Sequence, residues 1–250
     1  MNSQRFIAVD QGNSFFKLTL IVDGEVKEAC RVATDATEEF FSVVERYDAD
    51  CGAFCSVGRI DSRLVESLRM AVAGRLLVLS RRTPLPVSID YSTLATLGFD
   101  RIALAAGAAC SFPGECVAVV DAGTAITLDV VDASGCFRGG RITAGMRLRF
   151  ESIHQFTSAL PLLSCEGCPP IIGDGTDSCI RSGVVRGISD EIAETFREYR
   201  NYFGCTRLVL TGGDAPILHE CISTRIPADH VPDLMARGLL YIYNHNDKDS

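Results

Sequence analysis

An unbroken apolar run, Phe6-Ile7-Ala8-Val9, ends in Asp10-Gln11-Gly12-Asn13-Ser14, and a second apolar run opens at Phe15. The same order returns in the second half of the chain. Val117-Ala118-Val119-Val120 ends in Asp121-Ala122-Gly123-Thr124-Ala125, again with apolar residues following. β-Branched runs broken by Asp-x-Gly predict strand, tight turn, strand. The match extends further, because Gly24 and Gly135 each stand fourteen residues beyond their Asp and predict a second turn into a third strand. Either copy alone is ordinary turn chemistry. Two copies with the same flanks and turn offset point to a duplicated three-strand unit.

Beyond the first unit the apolar period lengthens to that of a helix. Thr34 to Tyr47 predicts one, with Phe40, Phe41, Val44 and Tyr47 on one face and Asp35 with Glu38 as a capping pair. Gly52 to Val57 predicts a strand, Ser62 to Ala73 a helix on Leu64, Val65, Leu68, Ala71 and Val72, and Leu76 to Leu79 a short strand. Arg81 to Leu97, with Pro84 and Pro86 and no clean period, reads as a long loop of the functional kind. It leads into an alanine-rich helix over Ile102 to Cys110 whose first turn holds Asp100 and Arg101.

The second half repeats the plan. Three strands lead to a helix near Arg147, then to an irregular excursion over Leu160 to Asp174 that carries three prolines. A helical region opens at Thr176 and runs through Phe203. Arg207 to Leu210 predicts a strand ending in Thr211-Gly212-Gly213-Asp214, followed by two short helices and a polar tail, Asp247 to Ser250. Strand–helix alternation after a meander predicts an α/β fold with mixed sheets. The 250 residues suit two domains, divided near Pro113-Gly114 into 1–113 and 114–250.

Composition narrows the classes. With 47% hydrophobic residues the chain can bury a core without metal or disulfide support. Its apolar runs are too short to cross a bilayer, and Met1 to Arg5 leads into a strand without a signal-peptide pattern, so a soluble, cytoplasmic protein away from membranes is expected. The net charge of −8 argues against nucleic-acid binding through a broad basic surface.

Eleven cysteines raise the question of metal. Cys165-Glu166-Gly167-Cys168 has half a zinc-site spacing, and Cys51 with Cys55 is a conceivable other half. The second pair lacks the tight knuckle spacing, and Cys55 within Ala53-Phe54-Cys55-Ser56-Val57 reads as a small buried hydrophobe. Without a secretory pattern a disulfide framework is not expected either. His154, His219, His230 and His245 lack partners at ligand spacing and read as structural or surface residues.

The candidate chemistry lies in the hairpins. Asp-x-Gly turns facing each other form a nucleotide clamp: glycine admits a phosphate to the backbone, N–H groups meet its oxygens, and the carboxylates of Asp10 and Asp121 hold the accompanying cations. Gly12, Asn13 and Ser14 would face the phosphates from one side, Gly123 and Thr124 from the other. Lys17 on the outgoing strand reaches phosphate or stays an exposed strand lysine. Thr211-Gly212-Gly213 offers backbone for a flat base or ribose. Asp100 suits the helix dipole in a first turn, but Arg101 beside it does not, so the pair reads as a carboxylate and guanidinium displayed to a ligand. Such a carboxylate can accept the proton of an acceptor hydroxyl in phosphoryl transfer.

Asp10-Gln-Gly-Asn-Ser14, Gly98-Phe-Asp-Arg101, Asp121-Ala-Gly-Thr-Ala125, Gly139-Gly-Arg-Ile142 and Thr211-Gly-Gly213 stand in the order that resembles type III pantothenate kinases. Those enzymes belong to the superfamily of acetate and sugar kinases, heat-shock chaperones and actin. The resemblance spans nearly the whole chain, and Gly-x-Asp-Arg between two Asp-x-Gly hairpins is its most specific part. It implies two ribonuclease H-like domains, each a mixed five-stranded sheet with flanking helices and with the ATP cleft between them, a homodimer, and ATP-dependent phosphorylation of pantothenate. It implies Asp100 as catalytic base, and Tyr91, Gly98, Phe99, Asp100 and Arg101 as pantothenate contacts, with Thr176 contributed by the neighbouring subunit. ATP would be bound by Asp10, Gln11, Gly12, Asn13, Ser14, Phe15, Phe16, Lys17, Thr124, Gly212 and Gly213. Asp121 would bind potassium or ammonium, and Asp10 would stand by Mg2+ on the nucleotide.

Two departures are visible: Ser14 replaces the family's Thr and keeps the hydroxyl, and Ala144 stands where a Pro commonly precedes Gly145. Two other readings compete: a kinase or phosphatase of the superfamily with another small acceptor, and a non-catalytic regulatory protein or accessory transcription factor on the same fold. Gly98 to Arg101 argues against the first, and intact Asp10, Asp100 and Asp121 against the second.

Overall fold

The computed structural model describes residues 3–58 and 61–247. The chain forms two compact units, Met1–Ser111 with Asp233–Ser250, and Phe112–Pro232. The first carries β1 (Arg5–Gln11), β2 (Phe15–Val22) and β3 (Glu25–Ala33) as an antiparallel meander, with β4 (Cys51–Ser56) parallel to β1 and β5 (Leu76–Val78) parallel to β4. The order is β3-β2-β1-β4-β5. β1 is covered on both faces, which is why its sequence is continuously apolar rather than alternating. Ile7 and Val9 join Phe40, Val44 and Tyr47 of α1 (Thr37–Tyr47) and Leu64 and Leu68 of α2 (Ser62–Ala71). Phe6 turns the other way and meets Tyr243 edge-on at 5.2 Å.

Tyr243 belongs to α7 (Leu234–Asp247), a 14-residue helix packed on α3 (Phe99–Ser111). The two backbones approach so closely that a Cβ at Gly238 would overlap the Ala103 carbonyl, and one at Gly107 the Leu234 carbonyl. The alanine richness of α3 is thus the means of close helix contact. It also revises the expected division of the chain: the C-terminal helix completes the first unit rather than the second, and is not short. Residues 79–98 contain only the two-residue β6 (Ser88–Ile89) and a 3-10 turn at Leu94–Thr96, as a long loop should.

The second unit repeats the meander in β7 (Val117–Ala122), β8 (Ala125–Val131) and β9 (Cys136–Ala144), with β10 (Arg207–Thr211) parallel to β7 and β11 (Asp229–His230) parallel to β10. Its helices are α4 (Met146–Gln155), α5 (Thr176–Phe203) and α6 (Ala215–Ile222). The duplicated turn glycines both adopt the left-handed backbone, Gly24 at φ 83° and Gly135 at φ 76°. In the second copy Asp132 anchors the turn, accepting hydrogen bonds from Ser134 N at 2.9 Å, Ser134 Oγ at 2.6 Å and Cys136 N at 3.0 Å.

Three local expectations change. α1 begins at Thr37, and Ala36 at its N-cap makes no side-chain bond, so Asp35 and Glu38 do not cap it. Cys168 and Cys221 form a disulfide that ties the irregular excursion to α6, a bridge that the lack of a secretory pattern argued against. Cys51 and Cys55 lie buried in β4, and among the described residues no group of three or more Cys, His, Asp or Glu side chains is arranged to hold a metal ion. Cys168, one of the Cys165–Cys168 pair, is held in the disulfide instead.

Candidate active site

Asp10 is the next-to-last residue of β1, with Lys17 of β2 across from it on one side and Cys55 of β4 on the other. Its carboxylate is buried at 5% exposure, with Lys17 Nζ 3.5 Å from Oδ2 and the Cys55 thiol donating to Oδ1 at 3.5 Å. Burial raises its pKa; Lys17 opposes the rise and a second carboxylate, Asp100, adds to it. Burial and Asp10 together push the Cys55 thiol well up, so it remains a protonated donor. Cys55 is thus more than the small hydrophobe expected. Nothing in the local pattern marks it, because its link to Asp10 exists only through the β1–β4 register. Lys17 faces the buried carboxylate rather than serving as an ordinary strand lysine.

The hairpin tips can be compared residue by residue. The N–H of Gly12 donates to Phe15 O at 3.0 Å, and that of Gly123 to Ala125 O at 3.2 Å, so both glycine amides are spent inside their own turns. Asn13 and Ser14 at the first tip are exposed, and Thr124 at the second is partly so. Phe16 packs on Phe40 with ring centroids 4.5 Å apart, which makes it a core residue, while Phe15 is half exposed. Gln11 is only partly exposed and continues β1 one position past Asp10.

Asp121 sits near the end of β7, level with Thr211 of β10 and Thr127 of β8. Gly212, at φ 97°, lies against it: a Cβ there would stand 2.5 Å from Asp121 Oδ1 and 2.6 Å from the Ala122 backbone. Two independent constraints therefore demand glycine at 212. Gly213 follows it in the same turn, and Asp214 N closes the turn on Ala122 O at 3.0 Å. Gly145 N donates to Thr124 O at 3.0 Å, and a Cβ at 145 would collide with that same turn, so the requirement here is for the glycine. Ala144 ends β9 opposite Ala125, and the missing proline leaves the β-ladder intact.

In the first turn of α3, Asp100 folds back over the helix start, its Oδ1 accepting from Arg101 N at 2.8 Å. Gly98 lies beneath it, and a Cβ at 98 would overlap that oxygen. Arg101 is buried, with its guanidinium 5.6 Å from the centre of the Tyr91 ring. Tyr91, Gly98, Asp100 and Arg101 thus come together within the first unit. Phe99 turns to the opposite face, toward Arg81.

Thr176 is exposed at the first position of α5. The cap of that helix is made by Ser178, whose Oγ accepts from Asp174 N and Gly175 N at 3.0 Å each. The Thr176 hydroxyl has no capping duty. The four histidines stay outside these arrangements; His154 meets Leu160 O and His219 meets Ala228 O.

The sequence model of the type III pantothenate kinase family matches residues 6–198. A type III pantothenate kinase of Phocaeicola vulgatus is 34% identical over 242 residues, covering 97% of this chain and 99% of the relative. Among solved structures, a conserved protein assigned to the Baf family of transcriptional activators from Campylobacter jejuni matches with TM-score 0.63 at 20% identity, covering 97% of this chain and 99% of the other. A protein assigned as a 2-dehydro-3-deoxygalactonokinase from Sinorhizobium meliloti matches with TM-score 0.60 at 16% identity, over 96% and 99%. At these identities the two structures speak for the fold, two ribonuclease H-like domains with mixed sheets and flanking helices.

Proposed function

The chain belongs to the type III pantothenate kinase family, and on that premise we propose how its residues divide the work. The protein phosphorylates pantothenate with ATP, forming 4'-phosphopantothenate in the first step of coenzyme A biosynthesis. Asp100 accepts the proton of the primary hydroxyl as that oxygen attacks the γ-phosphorus. The new O–P bond forms, the bond to the β,γ-bridging oxygen breaks, and ADP departs with the electron pair. Positioning and charge stabilisation carry most of such a transfer. The observation that supports this reading is the Asp100 carboxylate held over Gly98, with Arg101 and Tyr91 beside it.

Arg101 and Tyr91, with Gly98 and the backbone of Phe99, bind and orient pantothenate. Asp10, Gln11, Gly12, Asn13, Ser14, Phe15 and Lys17 form the phosphate side of the ATP site, to which Phe16 contributes by fixing the strand from the core. Thr124 meets the phosphates from the second hairpin, and Gly212 and Gly213 meet the nucleoside.

The residues fit cations that arrive with the nucleotide. Asp10 is buried near a second carboxylate with Lys17 as its ion-pair partner, and no protein-only metal cage exists among the described residues. That suits Mg2+, which binds through one or two carboxylates plus phosphate oxygens. It would supply neutralisation of the triphosphate charge. Asp121, pressed by the Gly212 backbone, is the candidate for potassium or ammonium.

The homodimer, with Thr176 reaching the partner's pantothenate pocket, and the cytoplasmic setting complete the proposal. No helix among the described residues is long and apolar enough to cross a membrane. The regulatory reading is not favoured, since the family match is to the kinases and the three carboxylates are intact. An ATP-dependent assay with pantothenate beside a panel of sugars and short hydroxy acids tests the reading. Turnover confined to pantothenate supports it, and turnover of another acceptor with none of pantothenate overturns it.

A further inference from the structure

We propose that Arg81 is a positioning residue for Asp100, clamping the start of α3 to the edge of the first sheet. The inference rests on the reading of Asp100 as proton acceptor. Arg81 springs from a tight turn in which Thr83 N donates to Ser80 O at 3.1 Å and Ser80 N to Thr83 Oγ1 at 3.0 Å. That turn is fixed to the sheet, because Leu79 N donates to Phe54 O at 2.9 Å and Phe54 directly precedes Cys55, the partner of Asp10. From there the guanidinium reaches the far side of the long loop. It donates to Ala95 O at 3.2 Å and to Leu97 O, and its centre lies 4.4 Å from the Phe99 ring. Leu97 and Phe99 bracket Gly98, the residue beneath the Asp100 carboxylate.

The first turn of α3 needs such a clamp. Phe99 and Ile102 share the helix face turned away from Asp100, and on that side they border a cavity of about 370 Å³ with Leu79, Leu85, Val87 and Leu94. Close packing is what ordinarily fixes a helix start. Beside that cavity, whose wall includes Arg81 itself, a planar cation with donors and one stacking face adds its hold to the packing of the buried Leu97 and Ile102. Both carbonyl bonds come from one guanidinium nitrogen, so a lysine ammonium could make them, but it has no planar face to lay on the Phe99 ring. The chain of contacts from Asp10 through β4, Leu79 and Arg81 to Leu97 and Phe99, on either side of Gly98, thus sets the distance between the nucleotide-side carboxylate and the acceptor-side carboxylate.

The test measures kcat and both KM values for Arg81→Ala, Arg81→Lys and Asp100→Asn, well below each protein's unfolding temperature. Arg81→Ala is expected to lower kcat by ~10-fold or more, within the range that a misplacement of about 1 Å can cost, while the KM for ATP stays unchanged. Arg81→Lys, which keeps donors for the two carbonyls but not the stacking face, should recover only part of that loss. Millimolar methylguanidinium should restore part of the kcat of Arg81→Ala, methylammonium should not, and neither should help Asp100→Asn. Wild-type kcat in Arg81→Lys overturns the inference, also if Arg81→Ala does not fold. So does a loss in Arg81→Ala that methylguanidinium leaves unchanged and that follows a lowered thermal midpoint, which marks general support of the loop. Retained turnover in Asp100→Asn falls instead on the proton-acceptor reading, since the Arg81 effect is read separately.

Discussion

Gly98 lies directly beneath the carboxylate of Asp100, so close that a Cβ at position 98 would overlap Oδ1. The glycine is therefore required by the acid two residues later and not by its own backbone. The obstructing group is the end of a side chain, which can swing aside at little cost to the fold. Gly98→Ala should leave stability within about 1 kcal/mol of the parent and lower kcat by ~10²-fold, the typical penalty for a displaced catalytic group. Chemical denaturation beside steady-state kinetics checks it. Unchanged kcat would show that Asp100 works from another rotamer.

That relationship also marks how far the sequence could be read. The Asp-x-Gly hairpins, their turn glycines and Gly98 to Arg101 are local patterns, and local patterns carry backbone geometry. The register that sets Cys55 against Asp10, and the return of α7 to α3, join residues far apart in the chain. Spacing holds no trace of either. Arg81 looked like the first residue of a featureless loop because its partners are backbone carbonyls, which every sequence supplies. The Cys168–Cys221 disulfide was invisible for a different reason: composition and the lack of a secretory pattern argue about compartment, whereas pairing depends on which cysteines the fold brings together.

Asp121 leads to a prediction about salts. An acidic protein that holds a triphosphate near carboxylates needs cations to supply positive charge. At constant magnesium, activity should rise when potassium or ammonium replaces sodium, and Asp121→Ala should lose that response. Initial rates in the three chlorides at equal ionic strength decide it. Equal rates in all three would remove the monovalent site from Asp121.

Asp132 links one turn to acid stability. Burial alone would raise its pKa, but hydrogen bonds from Ser134 and Cys136 and the Arg138 guanidinium outweigh that and bring it down to about 2 from 3.8. A carboxylate with a depressed folded pKa contributes stability above its unfolded value, and that contribution is lost as pH falls from about 4 through about 2. Asp132→Asn should cost about 1 kcal/mol at neutral pH after allowance for solvent screening and should flatten the acid limb. Denaturant midpoints of both proteins between pH 7 and pH 2.5 test this. Parallel acid limbs would assign the loss to other carboxylates.

Thr176 separates a shared active site from a self-contained one. Its helix is capped by Ser178, so Ser178→Ala should cost ~1 kcal/mol, whereas Thr176→Ala should leave stability almost untouched. If the Thr176 hydroxyl serves the neighbouring subunit's pantothenate pocket, Thr176→Ala should raise the KM for pantothenate and spare that for ATP. A mixing experiment then reads the geometry. A Thr176→Ala chain paired with an Asp100→Asn chain gives a heterodimer in which one pocket carries both defects and the other carries neither, so activity returns on mixing. If each pocket is built from one chain, every pocket keeps one defect and nothing returns. Verified heterodimers that stay as inactive as their parents would place Thr176 outside the partner's site.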